Sequence, residues 1–101
     1  MSHISAVILA RNEEHNIRHC LETLGWCDEI VVVDMDSSDA TSSIARAYTN
    51  KVYHHSYVAE FDKVKQYAVE QATGAWILLV DADEMIPRIL AKTLKEISGS
   101  S

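Results

Sequence analysis

Short apolar runs alternate with amphipathic segments along the chain, and this alternation predicts strands and helices in turn. Four runs, at residues 4–9, 29–33, 51–54 and 75–80, have the length and composition of strands. Between the runs, apolar residues recur at helical spacing, as Ile17, Cys20, Leu21 and Leu24 do at i, i+3, i+4 and i+7. The chain is therefore expected to repeat a strand–helix unit from beginning to end.

The predicted helices have recognisable termini and inward faces. The candidate caps and stops are Asn12 and Gly25 for the first helix, Ser38 or Asp39 for the second, Gly74 for the third and Pro87 for the start of the fourth. The inward positions are predicted to be Ile44, Ala45 and Tyr48 in the second helix, Phe61, Val64, Ala68 and Ala72 in the third, and Ile86, Leu90, Leu94 and Ile97 in the fourth.

Apolar strands joined by amphipathic helices are typical of a parallel sheet covered on both faces. With right-handed crossovers, the pattern predicts an α/β fold, a Rossmann-like three-layer α/β/α sandwich around a mostly parallel four-stranded sheet. A chain of 101 residues has room for one domain with a single core. We assign residues 1–97 to that domain and expect residues 98–101 to form a disordered tail.

Charge and composition narrow the class of partner. The net charge of −6 argues against binding to the backbone of a nucleic acid. The longest apolar runs are too short to cross a bilayer, and the N-terminus lacks the pattern of a secretion signal. Cys20 and Cys27 match no metal-binding spacing and are expected to be reduced thiols. Together these features favour a cytoplasmic location and exclude a nucleic-acid partner.

Acidic residues gather where two of the predicted strands end. Asp34 and Asp36 follow the second strand, and Asp81, Asp83 and Glu84 follow the fourth. Residues i and i+2 of an extended segment point the same way, so Asp81 and Asp83 can face one cation. Hard oxygen ligands of this kind suit Mg²⁺ or Mn²⁺. A solvated loop that caps the next helix remains the alternative explanation.

Three stretches, taken in order, resemble family 2 glycosyltransferases with the GT-A fold. They are ISAVILARNEE at residues 4–14, DEIVVVD at residues 28–34 followed by Ser37, Ser38, Asp39 and Thr41, and ATGAWILLVDADE at residues 72–84. The resemblance extends over residues 3–97 and is nearest to the branch that builds lipopolysaccharide cores and other surface glycans. It implies that this chain is the nucleotide-sugar-binding half of such an enzyme.

The resemblance also implies roles for single residues. Residues 10–13, including Ala10, Arg11 and Glu13, would flank the base and ribose of a nucleotide diphosphate sugar, and a guanidinium plane can stack on a base. The remaining residues implied for the site are Asp34 against the base, Asp36 beside it, Lys65 reaching toward the nucleotide, Asp83 as ligand of Mn²⁺ or Mg²⁺, and Asp81 on the ribose or a metal-bound water. The cation would neutralise the diphosphate as it leaves.

Several expectations concern what lies beyond this half. Relatives are about twice as long or more, and their acceptor site and catalytic base lie in the second half, so no general base is assigned here. The acceptor is expected to be a glycan or a lipid-linked glycan, with the full-length protein at the inner face of the membrane. A non-catalytic nucleotide-sugar-binding module, or an isolated folding unit, is the alternative. An uncovered face or edge at the fourth strand predicts a homodimer.

Overall fold

The computed structural model describes residues 3–99, apart from the side chain of Phe61. The elements in chain order are β1 (Ile4–Ala10), α1 (Ile17–Glu22), β2 (Glu29–Met35), α2 (Thr41–Ala45), β3 (Val52–His55), α3 (Phe61–Glu70), β4 (Trp76–Asp81) and α4 (Arg88–Ser98). The strands form one sheet in the order β3-β2-β1-β4, and every pairing is parallel. The predicted α/β fold with a parallel four-stranded sheet is therefore confirmed.

The central strands β1 and β2 are buried because helices cover both faces of the sheet. On one face, Ile8 and Val32 pack with Ile17 and Leu21 of α1 and with Ala45 of α2. On the other face, a second cluster joins the sheet to α3, with members Val7, Val31, Val33, Met35, Val64 and Ala68. The chain is thus a three-layer sandwich, and no described helix is long and apolar enough to cross a membrane.

Two glycines that were predicted to end helices do not do so. The first helix ends at Glu22 with Thr23 as its C-cap, so Gly25 lies beyond it. The third helix ends at Glu70, and Gly74 lies instead against the start of β1. A Cβ atom on Gly74 would lie 2.9 Å from the carbonyl oxygen of His3, closer than such atoms approach. Gly74 is therefore required by close packing of backbone on backbone, which no local helix rule reveals.

The edge strand β4 and helix α4 leave apolar side chains in solvent. Ile77 and Leu79 lie on the face that α3 covers elsewhere, but α3 packs over β1 and β2, so Leu79 is 49% exposed. Leu90 and Ile97 of α4, predicted to face inward, are exposed, and so is Tyr48 beyond the end of α2. The predicted inward faces of these two helices are therefore only partly correct.

The last helix extends one residue further than expected. Ser98, assigned from the sequence to the tail, is the final residue of α4 and is buried. Gly99 follows with φ of 79°, the left-handed conformation that commonly ends a helix. Residues 100 and 101, the remainder of the predicted tail, lie outside the described residues.

Candidate functional site

The carboxyl ends of the four parallel strands lie along one edge of the sheet. This carboxyl edge consists of the strand ends and the loops 11–16, 36–40, 56–60 and 82–87. In the strand register, Asp34 pairs with Ala10 on one side and with His54 on the other, while Asp81 pairs with Leu9. Ligands of open α/β sheets bind outside the carboxyl ends of the strands. The carboxyl edge is therefore the candidate site.

Asn12 joins the loop after β1 to the loop after β2. Its N–H donates to Ser37 Oγ at 2.9 Å, and its Oδ1 accepts from the Ser38 N–H at 2.8 Å. Asn12 adopts φ of 54°, a left-handed conformation that asparagine tolerates better than most residues. The prediction that Asn12 caps α1 was wrong, because the helix begins only at Ile17 and Asn12 bonds to a different loop.

A second group of hydrogen bonds continues this connection toward α2. The Glu13 N–H donates to Thr41 Oγ1 at 2.8 Å, and the Glu14 N–H donates to Asp39 Oδ2 at 3.2 Å. Asp39 Oδ1 also accepts from the Thr41 N–H at 3.0 Å, so Asp39 satisfies the start of α2 although Ala40 is the N-cap residue. The carboxylate of Asp39 is therefore engaged in holding the two loops together.

Asp34 lies at the base of the carboxyl edge and is 7% exposed. Its Oδ1 accepts a hydrogen bond from the hydroxyl of Ser37, the same hydroxyl that accepts from Asn12. Ala10, its neighbour in β1, is also buried, so any contact of Ala10 with a ligand would be made by its backbone. The connected loops thus fix the position of the Asp34 carboxylate.

Asp36 connects the end of β2 to β3 and to the loop beyond it. Its Oδ1 lies 2.6 Å from His54 Nε2, and its Oδ2 accepts from the Tyr57 N–H at 2.9 Å. These two contacts, the Tyr57 bond foremost, hold the pKa of Asp36 below its usual range. Like Asn12, Asp36 adopts φ of 54°. Protein groups engage both oxygens, so Asp36 braces these loops, and its expected contact with the nucleotide stays a prediction.

Arg11 projects from the end of β1 onto an aromatic ring. Its guanidinium carbon lies 3.9 Å from the centre of the Tyr57 ring, within the range of a cation–π contact. Tyr57 is 44% exposed and belongs to the loop after β3. Tyr57 was not among the residues predicted for the site. The available signal was an isolated aromatic residue in a loop at the carboxyl end of a strand.

The acidic loop after β4 turns at once instead of continuing as a strand. Ala82 is buried, whereas Asp81 and Asp83 on either side of it are exposed. Glu84 closes the turn, since its N–H donates to the Asp81 carbonyl at 2.9 Å and its Oε1 accepts from the Asp81 N–H at 2.7 Å. The side chain of Glu84 is thus used within the turn, and the two aspartates remain available to a ligand.

Glu13 faces this acidic loop from the end of β1. Its pKa is raised first by burial and then by the negative charges of Asp83, Asp39 and Asp81. Within the described residues, no three acidic, histidine or cysteine side chains form a complete metal cage. The donor set of two exposed carboxylates nevertheless fits Mg²⁺ or Mn²⁺, which are often held by one or two protein carboxylates together with the phosphates of a substrate.

Lys65 does not make contact with these acidic residues. It is exposed on α3, a helix that begins at the carboxyl edge and then crosses the sheet. Among the described residues it forms no ion pair, whereas its neighbour Lys63 pairs with Glu60. Its expected contact with a nucleotide therefore stays a prediction.

Two solved enzymes have a fold similar to that of this chain. Glucosyl-3-phosphoglycerate synthase from Mycobacterium tuberculosis, solved with Mn²⁺ and uridine-diphosphate-glucose, matches with a TM-score of 0.75 and 22% identity over 91% of this chain and 37% of that chain. Mannosyl-3-phosphoglycerate synthase from Rubrobacter xylanophilus gives a TM-score of 0.69 and 23% identity over 96% of this chain and 36% of that one. These likenesses establish the GT-A fold.

Residues 5–98 match the family Glycosyl transferase family 2, and the chain belongs to that family. The lipopolysaccharide core biosynthesis glycosyltransferase LpsC of Rhizobium meliloti is 33% identical over 97% of this chain and 38% of its own length. The uncharacterized glycosyltransferase RT0209 of Rickettsia typhi is 31% identical over 99% of this chain and 34% of its own length. The resemblance to the lipopolysaccharide and surface-glycan branch is confirmed, and the chain spans well under half the length of these relatives.

Proposed function

We propose that this chain is the donor-binding portion of a glycosyltransferase that takes its sugar from a nucleotide diphosphate carrier. The observation that carries the proposal is the juxtaposition at the carboxyl edge. Asp81 and the buried Asp34 end strands that lie two apart in the same sheet, and Glu13 is near enough to Asp81 and Asp83 for their charges to raise its pKa. An edge this rich in carboxylates can receive an anionic diphosphate only through an intervening cation.

The base and ribose would lie over the ends of β1 and β2. Asp34, fixed by Ser37, would accept from a ring N–H of the base, a role suited to a carboxylate. Arg11 would stack on the base, and the backbone of Ala10 and the loop through Glu13 would flank the ribose. Lys65, which is exposed on α3, would reach toward the nucleotide.

Asp83 would hold Mn²⁺ or Mg²⁺, with Asp81 beside it or on the ribose. The relative from Mycobacterium tuberculosis that was solved with Mn²⁺ and uridine-diphosphate-glucose supports a divalent cofactor. When bound, the cation offsets the negative charge that develops on the leaving diphosphate. The protein's own contribution is to keep the two aspartates exposed on a closed turn, which Glu84 secures.

The sugar would pass to a hydroxyl of a glycan or lipid-linked acceptor in lipopolysaccharide or surface-glycan synthesis. The name of the Rhizobium meliloti relative, a lipopolysaccharide core biosynthesis glycosyltransferase, supports this acceptor class. A place at the cytoplasmic face of the membrane is part of the same proposal. The general base is expected outside the portion described. We also infer that β4, an edge strand with Trp76, Ile77 and Leu79 exposed, pairs with a second copy of this chain.

A backbone NMR titration with UDP and with GDP tests the proposal. Shifts at residues 10–13 and at Asp34, together with line broadening by trace Mn²⁺ centred on residues 81–84, are the expected result. Asp83→Asn should remove the broadening, and Asp62→Asn, which changes an exposed acid on α3, is the matched control. Nucleotide-dependent shifts without any transfer of sugar would identify a binding module. No shifts at millimolar nucleotide would contradict donor binding by this chain.

A further inference from the structure

We propose that Tyr57 positions the guanidinium of Arg11 as the platform on which the base of the donor stacks. The inference rests on the proposed function, since it concerns the same site. It assigns a role to a residue of the loop after β3, which belongs to none of the motifs of the sequence analysis. Tyr57 is a positioning residue here, because it acts on the donor through Arg11.

Arg11 and Tyr57 form a cation–π stack. The guanidinium carbon of Arg11 lies over the Tyr57 ring, 3.9 Å from its centre. A guanidinium that lies flat on a ring leaves its second face for another flat group such as a base. Both residues are exposed, which means that core packing does not force this contact.

Contacts of Asp36 hold the loop of Tyr57 in place. The backbone N–H of Tyr57 donates to Asp36 Oδ2 at 2.9 Å, and Asp36 Oδ1 contacts His54 Nε2 at 2.6 Å. An exposed loop is thus tied to two neighbouring strands at the point where the aromatic side chain begins. Asp36 adopts φ of 54° in this arrangement, a conformation unfavourable for most residues.

The Arg11–Tyr57 stack lies close to Asp34 in the sheet. The strand register sets Asp34 between Ala10 and His54. Arg11 follows Ala10 on one side and Tyr57 follows β3 on the other, so the stack spans the strand end that carries the buried carboxylate. A base held by Asp34 at its edge would therefore find the Arg11 plane beside it. An exposed cation–π pair is weak by itself, so preorganisation of the Arg11 side chain for the base is the more important effect.

Isothermal titration with UDP plus MnCl₂, and separately with inorganic pyrophosphate plus MnCl₂, tests the inference. Tyr57→Leu should weaken UDP binding ~10-fold, while Tyr57→Phe, which keeps the ring, should bind as the wild type does. Pyrophosphate has no base, so its affinity should be the same in all three proteins. Tyr48→Leu replaces another exposed tyrosine, at the opposite end of the strands, and is the matched control.

A double-variant cycle separates positioning from a direct contact. Arg11→Leu should weaken UDP binding at least as much as Tyr57→Leu, and the double variant should be no weaker than Arg11→Leu alone. Unchanged UDP affinity in Tyr57→Leu, additive losses in the double variant, or an equal loss of pyrophosphate binding would each overturn the inference while donor binding stands. A wild-type protein that binds no nucleotide would instead overturn the proposed function, and this inference with it.

Discussion

Glu29, at the start of β2, joins four parts of the chain at the end of the sheet opposite the candidate site. Its Oε1 accepts from Ser5 Oγ at 2.6 Å and from the Thr73 N–H at 2.8 Å. Its Oε2 accepts from Thr73 Oγ1 at 3.2 Å and from the ammonium of Lys51. The side chain of Glu29 is 8% exposed. It is therefore a nearly buried carboxylate whose two oxygens are both fully used.

Glu29→Gln removes this negative charge with little change of shape. Burial alone would raise the pKa of Glu29, but the bonds from Lys51, Ser5 and Thr73 outweigh it and lower the pKa from 4.5 to about 2. That difference corresponds to at most about 3 kcal/mol of folding free energy. Lys51 is 40% exposed, so screening by solvent reduces the expected loss to about 2 kcal/mol. In the variant, the NH₂ group of the glutamine would also lie against two groups that donate hydrogen bonds and cannot accept one from it in this arrangement.

Urea unfolding followed by circular dichroism, at pH 7 and at pH 3, measures the effect. Because the folded-state pKa is lowered, the stabilisation is complete above pH 4.5 and is lost as the pH falls toward 2. Glu29→Gln should therefore be about 2 kcal/mol less stable than the wild type at pH 7, with a smaller difference at pH 3. Glu70→Gln, on the exposed side of α3, should match the wild type at both. A difference that is absent at pH 7, or equal at both pH values, would refute the reasoning.

Three further predictions concern other parts of the molecule. Asn12→Ala should lower the free energy of unfolding by about 1–2 kcal/mol in urea titrations, because Asn12 Oδ1 no longer accepts from the N–H and the hydroxyl of Ser38 and because alanine resists a positive φ. Cys20 and Cys27, whose pKa values burial raises to about 11 and about 12, should react with a thiol reagent at pH 8 only after unfolding, and rapid reaction of the folded protein would contradict this. The wild type should scatter light as a dimer at roughly 0.1 mM and Leu79→Lys as a monomer, whereas a monomeric wild type would exclude pairing through β4.

The strands were predictable because a strand that is buried on both faces is a continuous run of apolar residues in the sequence. The predicted run 29–33 became Glu29–Met35, and the run 75–80 became Trp76–Asp81. A central parallel strand must be apolar at successive positions, so its core can be recognised without knowledge of its partners. The acidic strand ends were recognisable for the same reason, because each follows an apolar run directly.

The loops of the site were less predictable because their partners are distant in the chain. Asn12 has the residue type of a helix cap, yet it bonds to Ser37 and Ser38, which are 25 and 26 positions away. Capping rules consider only neighbours in sequence and cannot register such a bond. Tyr57 was missed for the same reason, since its importance depends on Arg11 and Asp36, which only the fold brings near it.

The inward face predicted for α4 shows a different limit. Helical periodicity identifies an apolar stripe but does not state what covers it, and here Leu90 and Ile97 of α4 remain exposed. The helix is amphipathic as predicted, but no element among the described residues covers these two side chains. An exposed group of large apolar side chains marks an interaction surface more often than an accident of composition.

The raised pKa of Glu13 connects the electrostatics of the carboxyl edge to its proposed chemistry. Burial and the charges of Asp83, Asp39 and Asp81 all disfavour the ionised form of Glu13, so negative charge is gathered there at some expense of stability. Arg11 is the positively charged residue closest to Glu13 in sequence. Its guanidinium lies on the Tyr57 ring, however, and its charge lowers the pKa of Asp36. A divalent cation would relieve the repulsion that the fold leaves uncompensated. The same charges that cost stability in the free protein would then favour binding of a cation together with an anionic diphosphate.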